Sequence, residues 1–314
     1  MAFNPKKQAY NASINAVTLG TGEKSVVVGG ENVLPFYTFD AAIEHSPKIA
    51  LEILDRGAEA LTMPGMKAAF EGCATAADMA KRAEQIKGVS AVCLHFEGAD
   101  PNGANRSVEE CVAIAREVAE ATALPIMIMG CKNIEKDAEL FTKVSEALQG
   151  KNILVFSARE ENYKSVGASA VMAYGQKVGA ESAVDINLAK QLNVLMTQLG
   201  VAPTSIVMNA GSAAAGYGYE YVASTLDRIR AAALAQSDTQ LQMPILTPVS
   251  PETWSVKESM VSEADMPEWG SAEERGIEME ITTAAACLAG GSDAVIMRHP
   301  AAIKAISEMI EALV

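Results

Sequence analysis

Along most of its 314 residues the chain repeats one rhythm, a short apolar run followed by a longer amphipathic segment. Short runs without alternation suit strands covered on both faces. Longer segments with apolar residues three and four apart suit helices packed on one side. The strand candidates are 33–37, 91–97, 125–130, 153–158, 182–187, 205–209, 244–250 and 293–299. Helical patterns occupy 75–87, 107–121, 134–148, 162–175, 188–199, 219–235, 272–289 and 300–313. Eight strands each followed by a helix predict an α/β fold of the (β/α)8 TIM-barrel type, because a doubly wound sheet usually stops at about five to seven strands. Ser107 ahead of Glu109 and Glu110 marks one helix start, and Pro300 marks another.

Three stretches fall outside the repeat. Residues 14–29 read as an N-terminal β-hairpin around Gly20 and Gly22, placed to plug the bottom of the barrel. Residues 39–72 read as an insertion carrying a helix at about 46–56, between the first strand and its own helix. Residues 251–271 read as a second insertion, a long loop on the C-terminal rim that carries both tryptophans, Trp254 and Trp269. No cluster of Pro, Gly or Ser divides the chain, so one barrel domain over 1–314 is expected.

Composition narrows the partners. Hydrophobic residues at 49% and charged residues at 20% fit a packed core. A net charge of −14 without a basic run argues against nucleic acid or an anionic membrane as the main partner. No run approaches the ~18 apolar residues of a membrane span, and MAFNPKKQAYNAS has no apolar stretch after its lysines, so a cytoplasmic location is expected. The five cysteines lie singly, and the three histidines form no metal-binding spacing.

In a parallel barrel the C-terminal strand ends form the functional rim. Here they bring forward Tyr37 and Thr38, His95 and Glu97, Ser157 and Arg159, Asp185 and Asn187, Asn209 and Ser212, Thr247 and Ser250, and Arg298 with His299. Asn187 and Asn209 offer amide donors and acceptors to an uncharged ligand edge, or cap their loops. Arg298 can grip an oxyanion or pair with an internal acid. Glu97 and Asp100 can do acid–base work, or solvate the turn-rich loop around them. Between a strand and a helix, Gly211, Gly216 and Gly218 permit close backbone approach to a flat ring, although the stretch is no dinucleotide fingerprint.

That stretch also carries a resemblance. GYGYEY (216–221), TLDRIRAAAL (225–234), LQMPILTPV (241–249), GGENVLPFYTFD (29–40), VDINLAKQLN (184–193), WGSAEERGI (269–277) and IMRHP (296–300) resemble the delta subunits of acetyl-CoA decarbonylase/synthase complexes. They are similar too to the small subunits of bacterial corrinoid iron–sulfur proteins. The resemblance implies a TIM barrel without catalytic residues or metal ligands of its own. It would pair with a larger (gamma) subunit that holds a [4Fe–4S] cluster and the corrinoid. A pterin-dependent methyltransferase would charge the cobalt from methyltetrahydrofolate or methyltetrahydropterin, and acetyl-CoA synthase would receive the methyl group. This is methyl transfer in the reductive acetyl-CoA pathway.

By the same resemblance the corrinoid-facing rim comprises Asn187, Asn209, Gly211, Ser212, Gly216, Tyr217, Gly218 and Arg298. The partner-facing residues are Tyr219, Trp254 and Trp269. One departure stands at Ala210 to Ala215, where the family pattern has threonine hydroxyls before the GYG string. A free-standing pterin-dependent methyltransferase on the same barrel is the alternative, with Asp185 and Asn187 holding the pterin. An aldolase would want a lysine ending a strand; none does, and Lys132 reads as a surface residue.

Overall fold

Val17–Leu19 (β1) and Val26–Val28 (β2) form the expected hairpin, with Gly20 and Gly22 in the left-handed region that glycine enters without strain. The computed structural model describes residues 6–314. The apolar side chains of Val17, Leu19 and Val28 join the core inside the barrel, and the Asn152 amide donates to the Thr18 and Gly20 carbonyls to hold the hairpin on. It closes the N-terminal end.

Eight parallel strands follow: Lys48–Leu54 (β3), Val89–His95 (β4), Ile126–Met129 (β5), Leu154–Ala158 (β6), Lys177–Glu181 (β7), Ile206–Asn209 (β8), Leu246–Pro248 (β9) and Ala294–Met297 (β10). They pair in chain order from β3 to β8, while β10 lies between β3 and β9. The Met208 amide donates to the Pro244 carbonyl at 2.7 Å beside a parallel bridge from Met208 to Ile245, and this closes the barrel. Inside, Ala50, Cys93, Met127, Phe156, Val207, Leu246 and Ile296 interleave. Outside, Ile49, Leu51, Ile53 and their counterparts meet the helices. Every strand is thus buried on both faces.

The outer ring begins with Pro64–Ala69 (α1) and Ala76–Ala83 (α2), then Val108–Ala121 (α3), Ile134–Ala147 (α4) and Tyr163–Val166 (α5). Ile186–Leu199 (α6), Tyr219–Leu234 (α7), Ser250–Thr253 (α8), Lys257–Met260 (α9), Ala272–Gly290 (α10) and Pro300–Leu313 (α11) complete it. The start signals at Ser107 and Pro300 are real: Ser107 and Glu110 form a capping box, and Pro300 is the first residue of α11.

Two strand expectations are corrected. Residues 33–37 form turns, not the first strand, and the expected helix at 46–56 is instead β3. The 39–72 stretch therefore contains a barrel strand. KIALEIL is rich in helix formers, yet its odd positions pack outward and its even positions inward, and burial on both faces hides the period of two. Likewise 182–187 is a loop and helix start; β7 lies earlier, at KVGAE. Gly179 weakens that strand on paper, but a Cβ there would sit 2.5 Å from the Phe156 ring, so barrel packing demands the glycine.

Candidate functional site

The inward alternation of each strand continues past its last apolar residue and sets the floor of the C-terminal mouth. Ala50 is followed by Glu52, Cys93 by His95, Val207 by Asn209 and Ile296 by Arg298. The β3–β10 register pairs Ile296 with Ala50, which brings Arg298 level with Glu52.

Glu52 is fully buried and accepts from Arg298 Nε at 2.8 Å, while its other oxygen lies 2.7 Å from His95 Nδ1. Burial works to raise the Glu52 carboxyl, but Arg298 and His95 outweigh it and hold it well below the usual carboxylate range. Beside this triad the buried Glu280 of α10 accepts from the Arg298 and His299 main-chain amides at 2.6 and 3.0 Å. Burial pushes its carboxyl up to about 7, although those amides lower it in part. The His299 ring accepts from the Ala301 amide through Nδ1, donates to Glu273 through Nε2 at 3.1 Å, and stacks on Trp254 with centroids 5.8 Å apart.

Over β5, β6 and β8 the mouth opens into a small cleft of about 70 Å³ with mixed polar and apolar walls. Asp137, Lys132, Ser157, Arg159, Asn209 and Ser212 line it. Asp137 accepts from the Cys131 amide at 2.8 Å, and burial raises its carboxyl above the usual range. Asn209 donates to the Ser157 hydroxyl at 2.9 Å and accepts from the Gly211 amide at 3.1 Å. The Ser212 hydroxyl is buried without a partner. Arg159 pairs with Glu181 at 2.8 Å, and Lys132, in the left-handed region, pairs loosely with Glu252.

Two loops roof the β8–β9 side. The loop through Gly211, Gly216 and Gly218, all at positive φ, presents Tyr217, which is 48% exposed and donates to Glu258 of α9. Arg275 holds the 251–271 loop through the Glu258, Val261 and Gly270 carbonyls. Trp269 lies half-exposed beneath Lys257 and Arg275, with the ammonium 5.2 Å from its ring.

Placement of the residues singled out from the sequence is uneven. Asn209, Gly211 and Ser212 come together in the cleft, while Arg298 sits with Glu52 and His95 and Tyr217 with Glu258 of α9, on the loop shaped by Gly216 and Gly218. Asn187 does not: it sits exposed on the first turn of α6, where Asp185 is the helix cap accepting from the Asn187 and Leu188 amides. Two aromatics are turned inward. Trp254 is only 5% exposed and lies against Gly276, where a Cβ would be 2.3 Å from its ring. Tyr219 buries its hydroxyl beside Cys287, and burial raises that hydroxyl strongly. Tyr221, 69% exposed, stands on the surface instead. Sequence reasoning missed Glu52, Asp137 and Glu280. Glu52 alone carried a signal, as an acid in an otherwise apolar run two positions beyond an inward alanine.

The profile of a family described as CO dehydrogenase/acetyl-CoA synthase delta subunit matches residues 16–309. This chain belongs to that delta-subunit family. Among the family's curated members, the acetyl-CoA decarbonylase/synthase complex subunit delta of Archaeoglobus fulgidus is 32% identical, over 99% of this chain and 71% of the relative. Solved barrels give the same fold at low identity. A dihydropteroate synthase from Xanthomonas albilineans with 4-aminobenzoic acid superposes with a TM-score of 0.56 at 11% identity, covering 95% of this chain and 98% of that one. The same enzyme in complex with 7,8-dihydropteroate gives 0.53 at 11% identity, covering 85% and 94%.

As a delta-family chain its donor set bears on any cobalt-containing group. Among the described residues no three His, Cys, Asp or Glu side chains converge on a metal position. His95 Nδ1 is held by Glu52, and both nitrogens of His299 are engaged. Burial pushes Cys131 up to about 11 and Cys111 and Cys287 up to about 12, and it raises Cys93 well above the usual thiol range, so these remain thiols. Near the mouth the Ser212 hydroxyl is buried without a hydrogen-bond partner among the described residues, and Tyr217 is exposed.

Proposed function

We propose that this chain is the barrel subunit that docks on a larger corrinoid-bearing subunit and shields the corrinoid between methyl loading and delivery to acetyl-CoA synthase. The observation that carries the reading, given the family, is the roof of the mouth. There Tyr217 is exposed on glycine-shaped backbone with Tyr221 exposed one turn on, and among the described residues no group of His, Cys, Asp or Glu gathers to hold a metal. Exposed aromatics on a rim are the residue types that anchor interfaces. When bound, the corrinoid would supply a cobalt that accepts and releases the methyl group. This chain's part would be to bury one face, to exclude water and oxygen, and to contact the ring's amide fringe through Ser212, Asn209 and the 211–218 backbone. The test is to mix the chain with the purified corrinoid subunit and follow the visible spectrum. Complex formation with slower reoxidation of the reduced cobalt is the expected result; an unchanged reoxidation rate at saturating chain rejects shielding.

A second reading, a pterin-dependent methyltransferase, draws support from the polar side chains of this cleft and no longer from Asp185. Asp137, with Asn209 and Lys132, offers a buried carboxylate and an amide to a planar donor–acceptor edge. A dihydropteroate synthase of like fold is known in complex with 7,8-dihydropteroate. Methyl transfer from methyltetrahydrofolate to free cobalamin by the pure chain, lost in Asp137→Asn, decides for it.

A further inference from the structure

We propose that Glu280 is a proton-operated clamp on the barrel mouth. As a carboxylate it holds the Arg298 and His299 amides, and with them the Trp254–His299 stack; once protonated it releases one of the two. The inference is independent of what docks on the mouth.

Geometry carries it. Glu280 is fully buried, and its two oxygens accept from two consecutive main-chain amides at the end of β10. A proton arriving from solvent converts one oxygen from acceptor to donor. That oxygen then faces an N–H donor, and the pair cannot both be satisfied. The segment it holds is central, because Arg298 bridges to Glu52 and His299 begins α11 while stacking on Trp254 at the start of the 251–271 loop. Residues on one face of α10 join this construction at helical spacing: Glu273 bonds His299, Gly276 admits Trp254, and Glu280 holds the amides.

The surrounding charges make Glu280 the group that switches near neutrality. Arg298 and His299 face it from the end of β10, with Glu52 and His95 of β3 and β4 behind Arg298 and Glu97 further out. Glu273 lies on its own helix. From α9, Glu258 turns to Tyr217 and Lys257 to Trp269. Glu52 is held ionised by its partners, and burial lowers His299, whereas burial raises Glu280 to about 7.

The experiment uses Trp254 as reporter in the full chain carrying Trp269→Phe, which leaves one tryptophan. Its emission and near-UV dichroism should titrate with a midpoint near 7, retain that midpoint in His299→Gln, and show no titration in Glu280→Gln. Persistence of the transition in Glu280→Gln, or its absence from the parent between pH 5.5 and 8.5, overturns the proposal. Hydrogen exchange in the unsubstituted chain gives an answer even where Glu280→Gln does not fold. Protection factors at the Arg298 and His299 amides should fall at least tenfold from pH 8 to pH 6; equal protection overturns the clamp.

Discussion

Glu52 and Arg298 meet at 2.8 Å across the floor of the barrel mouth, from the first and last strands of the barrel, 246 residues apart in the chain. Removing one partner from a buried pair leaves the other uncompensated, typically costing about 3 kcal/mol or more. Glu52→Gln should therefore lower stability by about that amount in urea unfolding at neutral pH. The Glu52 carboxyl is held below its ordinary 4.5, so its contribution is present above that value and is lost as pH falls below it. The gap between parent and variant should narrow below pH 4.

The two kinds of rim aromatic should separate cleanly. Trp254 is buried against Gly276 and His299, so Trp254→Ala should destabilise the fold by roughly 3 kcal/mol through lost packing. Tyr217 is exposed, so Tyr217→Ala should leave the melting temperature nearly unchanged and weaken association with the corrinoid subunit by about 2 kcal/mol. Calorimetric melting and titration together check both; equal affinity in Tyr217→Ala places the interface elsewhere.

Asp185 is a helix cap, and its loss should be felt as stability alone. Asp185→Ala removes the acceptor for two amides at the start of α6 and should cost about 1 kcal/mol, with association unchanged. A loss of partner binding in this variant, with normal unfolding, would return Asp185 to the functional rim.

Glu280 has the opposite sign to Glu52. Its folded value of about 7 lies above its ordinary 4.5, so the stability it contributes is complete below 4.5 and is lost as pH rises through about 7. Glu280→Gln does not titrate, so its melting temperature should gain on that of the parent between pH 5 and pH 8. A constant difference across that window would show that Glu280 does not change protonation there.

The barrel was legible because six of its eight strands stand as apolar runs at or near the expected positions, with all eight expected helices in place between them. β3 and β7 were misread for one physical reason. A strand covered on both faces has no alternation, so KIALEIL passed for a helix, and KVGAE passed for a loop through a glycine that only the neighbouring Phe156 explains. Misplacing β7 then put Asp185 and Asn187 inside a strand, whereas they open α6 just past the end of β7.

What the chain determined alone was local: the repeat of strand and helix, the capping boxes, the glycines that enter left-handed backbone, and the inward positions that carry polar residues beyond apolar ones. These follow from side-chain periodicity and backbone sterics within a few residues. Family membership was legible from the strings too, since they run from residue 29 to residue 300 within the matched region 16–309. Only the tertiary structure decided which charges meet. Barrel closure sets β3 beside β10, and that register joins Glu52 to Arg298 and gives Glu280 two amides to hold. Burial of Glu280, and with it a carboxyl near 7, is a property of the packed mouth, because desolvation depends on atoms contributed from far along the chain.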